Sequence, residues 1–414
     1  MTATGAARLR TRAKEAARRV LETPAYATGL RLHDQLAART ARTQGSADRV
    51  LFVAPGGEGN IGDQSMYEAV MRQVSGPVDV IMLSEGALDV PPADEHRTTV
   101  HVLPHLIRGH IGQRVPDVRR YRELLASASK VLIPGADTID GGHPHTSVTR
   151  LNLAHLALDA GVPVSVQGFS WSASAPASVT ASARRLVARG ARLHPRDPAS
   201  HRRLTASGVS TDLAADLVFA GIDLVDLPAG LDAALQAIAS SGRRYVLLNT
   251  SGLIHRKVDL MDEYASLVSQ LHARDLSVIF VPHVLREPDN DLILARRLHQ
   301  QYGAEGDVLV DRQLAPGQVQ VLARGALCVI TGRMHLAIHA LSGHTPAITL
   351  STVGKVEGLL EMFDRPQWCV LPRPGLTTTI MPLVDAIRAG EDDERAAIGA
   401  ALPEIRRRAE LNFS

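Results

Sequence analysis

The chain has 414 residues, of which 45% are apolar and 21% charged, and its formal net charge is +2. This length favours two domains, and the near-neutral charge gives no general argument for a nucleic acid or an acidic partner. Aromatic residues make up 3% of the chain and cysteine occurs twice, which argues against base-stacking surfaces, disulfide frameworks and thiolate metal clusters. No segment has the unbroken apolar length of a membrane span or of a signal-peptide core, so the predicted location is the cytoplasm.

Residues 1–48 are rich in alanine and arginine, with nine basic and four acidic residues. This composition predicts a basic helical extension that packs on the body of the protein. The alternative is peripheral contact with anionic lipid at the inner face of a membrane.

Residues 49–225 alternate strand-like and helix-like segments, which predicts a doubly wound parallel sheet with helices on both faces. The predicted strands of this first domain are Val50–Ala54, Val78–Leu83, Thr99–Leu103, Val131–Ile133, Val164–Val166 and Ala191–His194.

The segment 221–242 carries no strand pattern, and we place a domain boundary there. Residues 240–372 then repeat the α/β plan, and residues 373–414 are predicted as one or two C-terminal helices. The predicted strands of the second domain are Tyr245–Leu248, Val278–Val281, Val308–Val310, Leu327–Ile330 and Ala347–Leu350. The expected architecture is two doubly wound, Rossmann-like α/β domains that face a cleft.

The run from Thr331 to Ala340 is the most informative stretch of the sequence. An apolar strand leads into it and an amphipathic helix follows, so Arg333 and His335 are predicted at a carboxyl strand edge, where open α/β sheets bind ligands. A cation beside a helix N-terminus opposes the helix dipole. An anion bound jointly by Arg333 and the helix amides would account for an arginine at this position, so the sequence predicts a ligand site here.

A glycine-rich turn follows the first strand and contains the pattern G-x-G-x-x-G at Gly57, Gly59 and Gly62. Such a turn between a strand and a helix suggests a dinucleotide-binding fingerprint and a nicotinamide or flavin enzyme. Asp63 argues against it, because a negative charge at the start of the helix would repel a pyrophosphate. Glu85 also lies further along than the acid that binds the ribose in such proteins.

Polar side chains near strand ends are further candidates. Asn60 and Asp63 place an amide and a carboxylate at one edge, although Asp63 is equally explained as a helix N-cap. Asp137 and His143 follow another strand and suit contacts to sugar hydroxyls, which turn chemistry explains nearly as well. His335 and His339 are one helical turn apart, but the glutamate of zinc-protease motifs is missing, so we predict no metal site.

These motifs together resemble the polysaccharide pyruvyl transferase family over residues 50–363. The segments that carry the resemblance are Gly59–Asp63, Pro134–Asp137, Arg196–Ser200, Asp216–Phe219, Val281–His283 and Gly332–His335 with the later Lys355. The sequence departs from the family pattern at Ala136, where a glycine is usual, and at Ser351–Gly354, where the usual aromatic residue is absent.

The resemblance implies a fold similar to that of two-domain GT-B glycosyltransferases. It also implies transfer of pyruvate from phosphoenolpyruvate to a saccharide as a ketal, with release of phosphate, in cell-wall glycan or exopolysaccharide biosynthesis. Family members hold the donor with arginines and a histidine that correspond to Arg196, Arg333 and His335. Lys355 precedes a predicted helix and would add a third cation. No cofactor is expected besides phosphoenolpyruvate as co-substrate, and the expected partner is a saccharide acceptor, free or lipid-linked.

Ketal formation begins with protonation of the enol methylene carbon, and a histidine that titrates near neutral pH suits this step. We therefore predict His335 as the catalytic acid, with hydrogen bonding to the donor as its alternative role. Asp63 is predicted as the base or positioning group for the attacking hydroxyl, with Asn60 beside it, on the opposite half of the cleft from His335.

Three other functions remain open from the sequence. A glycosyltransferase that uses a nucleotide sugar would share the architecture but would need a platform for a base and a partner for its ribose. A nicotinamide-dependent oxidoreductase would use the glycine-rich turn. A non-catalytic carbohydrate-binding protein would bind saccharide and release no phosphate from phosphoenolpyruvate.

Overall fold

The computed structural model describes residues 19–39, 48–56, 58–351 and 356–414. Within these residues the chain divides into two compact units. The first comprises the described residues up to position 56, Val74–Asp216 and Glu410–Ser414, and the second comprises Glu58–Gln73 and Leu217–Ala409. Gly57, Lys355 and six of the nine basic residues of the N-terminal extension lie outside the described residues.

The first unit contains a parallel six-stranded sheet in the order β3-β2-β1-β4-β5-β6. Its strands are β1 (Arg49–Val53), β2 (Val78–Met82), β3 (Thr98–Val102), β4 (Ala128–Ala136), β5 (Val164–Phe169) and β6 (Arg192–Pro195). The central strands are rich in valine, isoleucine and leucine and are buried along nearly their whole length, as expected for a sheet covered on both faces.

The α-helices described in the first unit are Pro24–Ala38, His105–Arg108, Val115–Leu125, Pro144–Asp159, Ala177–Ala188 and Pro198–Ala206. Helix Pro24–Ala38 is capped by Thr23, whose hydroxyl accepts from the backbone N–H of Tyr26 at 3.2 Å. Its Asp34 is fully buried and accepts from Arg114 Nε at 3.1 Å. The helical part of the N-terminal extension is therefore anchored in the core by a buried ion pair.

The second unit contains a parallel six-stranded sheet in the order β12-β11-β10-β7-β8-β9. Its strands are β7 (Arg244–Leu248), β8 (Leu276–Phe280), β9 (Val308–Leu309), β10 (Val329–Thr331), β11 (Ala347–Leu350) and β12 (Cys369–Val370). Both sheets follow the strand order of dinucleotide-binding Rossmann folds, in which the chain starts at the centre and then extends to each edge.

The α-helices described in the second unit are Ile61–Gln73, Ala229–Ser240, Gly252–His255, Met261–His272, Asp291–Tyr302, Pro316–Arg324, Met334–Ser342, Val356–Glu361, Leu376–Ala389 and Glu391–Glu410. Among the described residues, no helix is long and apolar enough to cross a membrane.

The prediction of two Rossmann-like doubly wound domains is confirmed, and all eleven predicted strands occur among the described residues. The two-residue strand β12 was not predicted. The observed units do not coincide with the predicted domains, and the main part of the second unit begins at Leu217, before the predicted boundary segment 221–242. Helix Ile61–Gln73, which connects β1 to β2, belongs to the second unit, and so does most of the C-terminal helical region. The last residues return to the first unit, where Asn412 Oδ1 accepts from the backbone N–H of Gly168 at 2.8 Å.

Candidate active site

The second sheet places Arg333 and His335 at its topological switch point. Strands β7 and β10 are neighbours at the centre of the sheet, and the chain extends from them toward opposite edges. This arrangement opens a crevice beyond the carboxyl ends of the two strands, where ligands bind in open α/β sheets. Arg333 lies two residues beyond β10, and His335 is in the first turn of helix Met334–Ser342. Both residues lie at the carboxyl strand edge, as the sequence predicts.

The buried carboxylate of Asp291 holds the Arg333 side chain in place. Nε of Arg333 donates to both carboxylate oxygens at 3.2 Å, and Nη2 donates to Oδ1 at 2.6 Å and to the backbone carbonyl of Asp289 at 2.8 Å. Nη1 has no hydrogen-bond acceptor among the described residues, and 12% of the side chain is exposed. Arg333 is therefore fixed in orientation and keeps two N–H donors for a ligand.

Asp291 also links the strand ends to one another. Its carboxylate accepts from Asn249 Nδ2 at 2.9 Å and from the backbone N–H of Gly252 at 2.8 Å, both beyond β7. It accepts from the backbone N–H groups of His283 and Val284, beyond β8, at 3.1 Å each. One carboxylate thus connects the loops that follow β7, β8 and β10.

Gly332 lets the loop after β10 approach the loop after β7. A Cβ atom at this position would lie 2.4 Å from Cδ1 of Ile254 and 2.7 Å from Cβ of Ser251. The Thr331 hydroxyl accepts from the backbone N–H of Arg333 at 2.9 Å and so fixes the turn into helix Met334–Ser342. Since the first amides of a helix lack intrahelical acceptors, Arg333 and this helix start together form a candidate anion site.

The glycine-rich turn pairs with the loop after β8. The backbone N–H of Leu285 donates to the Gly59 carbonyl at 2.8 Å, and the N–H of Ile61 donates to the His283 carbonyl at 3.2 Å. Gly59 has a φ of +74°, a conformation that glycine adopts without strain. These bonds bring the start of helix Ile61–Gln73 into the second unit.

Asn60 caps this helix. Its Oδ1 accepts from the backbone N–H of Gly62 at 3.0 Å, and its backbone carbonyl accepts from the N–H of Gln64 at 3.2 Å. Asp63 is the third residue of the helix, so its alternative explanation as the N-cap does not apply.

His335 packs directly on the start of helix Ile61–Gln73. A Cβ atom at Gly62 would lie 2.4 Å from Nδ1 of His335, so the imidazole occupies the space that any other residue would fill. One turn further along both helices, Ser65 Oγ and His339 Nε2 are 2.8 Å apart. Because the Ser65 hydroxyl donates to the Ile61 carbonyl at 2.6 Å, His339 Nε2 is the donor in this pair. The two helices therefore run side by side from the crevice.

The side chain of Asp63 is 9% exposed, and its Oδ2 lies 3.9 Å from Nη1 of Arg286, which is 39% exposed. Arg286 belongs to the loop after β8 and adds a second cation to this edge of the unit. The prediction that Asp63 lies on the opposite half from His335 is wrong. The backbone pairing of the glycine-rich turn places both residues in the second unit.

His283 is 2% exposed, and neither ring nitrogen has a hydrogen-bond partner among the described residues. Its ring centroid lies 6.4 Å from that of His339. Burial lowers the pKa of His283 well below its ordinary value, and His339, His335 and Arg333 lower it further. The side chain is therefore neutral at physiological pH. In the part of the chain that the structure describes, no group of histidines and acids has a metal-binding arrangement.

Arg196 lies in the first unit, directly after the edge strand β6. Nη1 donates to Asp216 at 3.0 Å, Nε donates to the Ser170 hydroxyl at 3.0 Å, and the side chain is 2% exposed. The neighbouring Asp197 caps helix Pro198–Ala206 by accepting from the backbone N–H of Ser200 at 2.7 Å, which is a structural role.

Asp137 and His143 also lie in the first unit, and both are exposed. Asp137 follows β4, and His143 immediately precedes helix Pro144–Asp159. The predicted acceptor-binding residues are therefore divided between the units, with Asn60 and Asp63 in the second. The predicted donor-binding residues are divided as well, and Lys355 lies outside the described residues.

The structure adds three residues to the candidate site that the sequence did not single out, namely Ser65, Arg286 and Asp291. A signal for two of them was present. The Val281–His283 motif at a strand end is followed within ten residues by an arginine and three acidic residues. Ser65 had no such signal, because it is an ordinary helical serine until His339 is placed beside it.

Comparison with known proteins supports the fold and the family. The solved structure of a putative UDP-N-acetylglucosamine 2-epimerase from Listeria monocytogenes matches with a TM-score of 0.55 and 12% identity, over 85% of this chain and 91% of that chain. The UDP-GlcNAc 2-epimerase from Neisseria meningitidis bound to UDP-GlcNAc matches with a TM-score of 0.53 and 12% identity, over 88% and 98% of the two chains. These likenesses show the fold alone, two Rossmann-like domains of the GT-B type. Comparison of the sequence with curated proteins gives no match.

The sequence profile of the family described as polysaccharide pyruvyl transferase matches residues 60–352, more than two thirds of the chain. The match begins at Asn60, inside the glycine-rich turn, and includes the Gly332–His335 segment. The second unit brings Gly62 and His335 into contact. The chain belongs to the polysaccharide pyruvyl transferase family.

Proposed function

We propose that the protein transfers the pyruvyl group of phosphoenolpyruvate to two hydroxyls of a saccharide as a cyclic ketal, with release of phosphate. Family membership supports pyruvyl transfer in polysaccharide biosynthesis. The observation that carries the proposal is the contact of His335 with Gly62 at the switch point of the second sheet. This contact brings the candidate acid His335 against the helix that carries the candidate base Asp63. Both lie near Arg333, at the edge where such sheets bind ligands.

The donor carries a phosphate and a carboxylate, so its site needs more than one cation. In the second unit, Nη1 of Arg333 and the first amides of helix Met334–Ser342 suit one of these groups, and the half-exposed Arg286 suits the other. The family resemblance adds Arg196 and Lys355. Since Arg196 is almost fully buried against Asp216, it would have to share its donors between that carboxylate and the ligand.

The proposed reaction starts when His335 donates a proton to the methylene carbon of phosphoenolpyruvate. The double-bond electrons form the new C–H bond and leave a cationic C2, which the ester oxygen stabilises. One acceptor hydroxyl attacks C2 and passes its proton to Asp63. The second hydroxyl then displaces phosphate from C2, its proton restores His335, and the proton on Asp63 leaves with the phosphate. General acid–base steps of this kind contribute about 10²- to 10⁴-fold to a rate.

The remaining histidines suit supporting roles in this scheme. His339 is fixed by Ser65 one turn behind His335 and keeps the two helices in register. His283 is neutral and buried beside them, so it adds no second positive charge next to His335. On the acceptor side we propose Asn60, Asp63, Asp137 and His143 as contacts to sugar hydroxyls.

A nucleotide-sugar transferase is the second candidate, because structural neighbours are described as bound to UDP or UDP-GlcNAc. Binding distinguishes the two candidates. A pyruvyl transferase should be stabilised against thermal unfolding by phosphoenolpyruvate and not by UDP or GDP, and a nucleotide-sugar transferase should show the reverse.

The decisive experiment measures phosphate release from phosphoenolpyruvate with a panel of free and lipid-linked glycans, together with the mass of the product. The expected result is release that depends on a glycan, with a product that has gained a pyruvate ketal. His335→Ala and His335→Gln should lower turnover by about 10²-fold or more, with little change in melting temperature. Near-normal turnover in both variants would exclude His335 as the acid. If Asp63→Asn altered only thermal stability, Asp63 would not be the base.

A further inference from the structure

We propose that the second unit carries a separate anion-binding pocket for a small organic phosphate, at the opposite end of the two helices that hold the candidate active site. The pocket has a volume of about 390 Å³, within the range of ligand sites in proteins. Its polar lining consists of Arg72, Gln320, Arg324, Ser342 and Arg406, and its apolar lining includes Phe219.

Within the described residues, the positive charge of the pocket is only partly compensated. Three guanidinium groups line it, and no carboxylate is among the described residues that do so. Arg72 pairs with Asp223, whereas Arg324 and Arg406 form no ion pair with any carboxylate in the described part of the chain. Clustered arginines bind phosphate oxygens through paired, charge-assisted hydrogen bonds, so the pocket suits a phosphate better than a neutral ligand.

Favourable interaction with helix dipoles does not account for the positions of all three arginines. Arg72 and Arg324 are in the last turns of their helices, where a cation complements the helix dipole. Arg406 lies inside helix Glu391–Glu410, before its last turn, and gains nothing from that effect. The positive potential also acts on a neighbour, because Arg406 and Arg324 add to burial in lowering the pKa of His344.

One buried polar group in the lining has no hydrogen-bond partner in the described part of the chain. Ser342 is 7% exposed, and its hydroxyl forms no hydrogen bond within the described residues. A buried hydroxyl without a partner is unfavourable, and a ligand oxygen in the pocket would satisfy it. The apolar wall formed by Val218, Phe219, Ile222 and Leu224 leaves room for an organic group beside the phosphate.

The pocket is connected to the candidate active site through two helices. Helix Ile61–Gln73 begins at Gly62 against His335 and carries Arg72 in its last turn. Helix Met334–Ser342 begins beside Arg333 and ends at Ser342, about 13 Å away at 1.5 Å per residue. A ligand that bridges Arg72 and Ser342 would therefore fix the relative positions of two helices whose other ends hold Asp63 and His335.

The test titrates phenyl phosphate, inorganic phosphate and phenol into the full-length protein by calorimetry. Three variants are compared with the wild type, namely Arg324→Gln/Arg406→Gln, Ser342→Ala and the control Arg296→Gln/Arg297→Gln. The control removes two exposed arginines from helix Asp291–Tyr302, so it matches the loss of charge. Each variant is first checked for an unchanged melting curve.

The expected result is that wild type binds phenyl phosphate more tightly than inorganic phosphate and does not bind phenol. Affinity for phenyl phosphate should fall by about tenfold or more in Arg324→Gln/Arg406→Gln and by about threefold in Ser342→Ala, and stay within about twofold in the control. Equal binding by wild type and Arg324→Gln/Arg406→Gln, an equal loss in the control, or no binding of phenyl phosphate at all would overturn the proposal. None of these readouts requires pyruvyl transfer, so the result is independent of the proposed reaction.

Discussion

Arg333 in the second unit and Arg196 in the first occupy similar places in their sequences, since each follows a strand and precedes a helix. Each is also paired with a buried aspartate of its own unit. Their positions in the sheets differ. Arg333 follows the central strand β10 at the switch point, whereas Arg196 follows β6 at the edge of its sheet. Arg333 is 12% exposed and Arg196 2%.

The comparison shows that a strand–arginine–helix pattern does not by itself define a ligand site. Position in the sheet decides whether a crevice lies beside the arginine, and the partner carboxylate decides how many donors remain. Arg333 satisfies both conditions, with an open switch point and an Nη1 that has no acceptor among the described residues. Arg196 has the features of a structural ion pair. Its proposed contact with phosphoenolpyruvate requires its N–H groups to be shared between Asp216 and the ligand.

The largest effect is expected for Asp291→Asn. Six donor groups converge on this carboxylate, and an amide would direct hydrogens at some of them while leaving Arg333 without a countercharge. Breaking a buried pair by removing one partner costs about 3–5 kcal/mol, so we expect a loss of that size in the free energy of unfolding, measured with urea. Activity should be lost as well.

The control for this change is Asp289→Asn, two residues away. The Asp289 side chain pairs with Arg256, which is 51% exposed, and surface pairs contribute about 1 kcal/mol or less. If both variants lost equal stability, Asp291 would not have the central role that its contacts indicate.

Arg196→Gln breaks the corresponding pair in the first unit, and we expect it to lower the free energy of unfolding by about 3 kcal/mol. The apparent affinity for phosphoenolpyruvate distinguishes the two roles of Arg196. A tenfold or greater rise in KM for the folded variant, about 1.4 kcal/mol, supports contact with the donor. An unchanged KM would show that Arg196 does not contact the donor and that its role is limited to the ion pair with Asp216. Ser170→Ala is the control, since it removes one acceptor of Nε and keeps Asp216.

Most of the fold could be predicted from the sequence, because each strand of a buried parallel sheet is a short apolar run between polar turns. The exception shows the limit of this reasoning. Strand β12 consists of Cys369 and Val370 alone and directly follows the 3₁₀ turn Pro366–Trp368, whereas the equally short β9 lies within the predicted apolar run Val308–Val310. The assignment of helix Ile61–Gln73 to the second unit was also beyond local patterns, because it depends on backbone pairing between Gly59–Ile61 and the loop after β8.

For the candidate site, the sequence identified the residues at strand ends and missed their partners. Arg333 and His335 were predicted from a strand, a turn and a helix that are adjacent in the chain. Asp291 was not, because it is 42 residues from Arg333 and lies in a run of several acids that look alike. The pairing of Ser65 with His339 spans 274 residues and is visible in three dimensions alone.

A smaller effect is expected for Gly62→Ala, which tests whether the contact with His335 matters. The added methyl group would overlap Nδ1 of His335 at 2.4 Å, so the imidazole must move. Overpacking of this kind costs about 1–3 kcal/mol, and a displacement of about 1 Å can lower a rate by about 10²-fold. We expect kcat for pyruvyl transfer to fall by more than the loss of folded protein would account for.

Gly29→Ala is the matched control, since a Cβ atom at Gly29 in helix Pro24–Ala38 would meet nothing within 4 Å. Alanine is the better helix former by about 1 kcal/mol, so this variant should keep its activity and gain slightly in stability. Normal kcat in Gly62→Ala would show that His335 can move without consequence, and would remove the main support for its role as the acid.

The smallest effect is expected for substitution of the buried histidines, which occur in both units. His155 and His194 in the first unit are 2% and 3% exposed, and His283 in the second is 2% exposed. Burial is the main cause that lowers the pKa of each, to about 3 for His155, to about 4 for His194 and well below 6.5 for His283. These side chains stay neutral in the folded protein at pH values where the unfolded chain binds protons.

As the pH falls below about 6.5, the unfolded state therefore gains protons that the folded state does not, and the free energy of unfolding falls by about 1.4 kcal/mol per pH unit for each such histidine. We expect His283→Gln to reduce this slope by about that amount between about pH 6 and pH 5, as His155→Gln does for the first unit. Urea unfolding at a series of pH values measures it. If His155→Gln reduced the slope and His283→Gln did not, His283 would be taking up a proton in the folded protein. The candidate site would then contain one more positive charge than we propose, and His283 would compete with His335 as the proton donor.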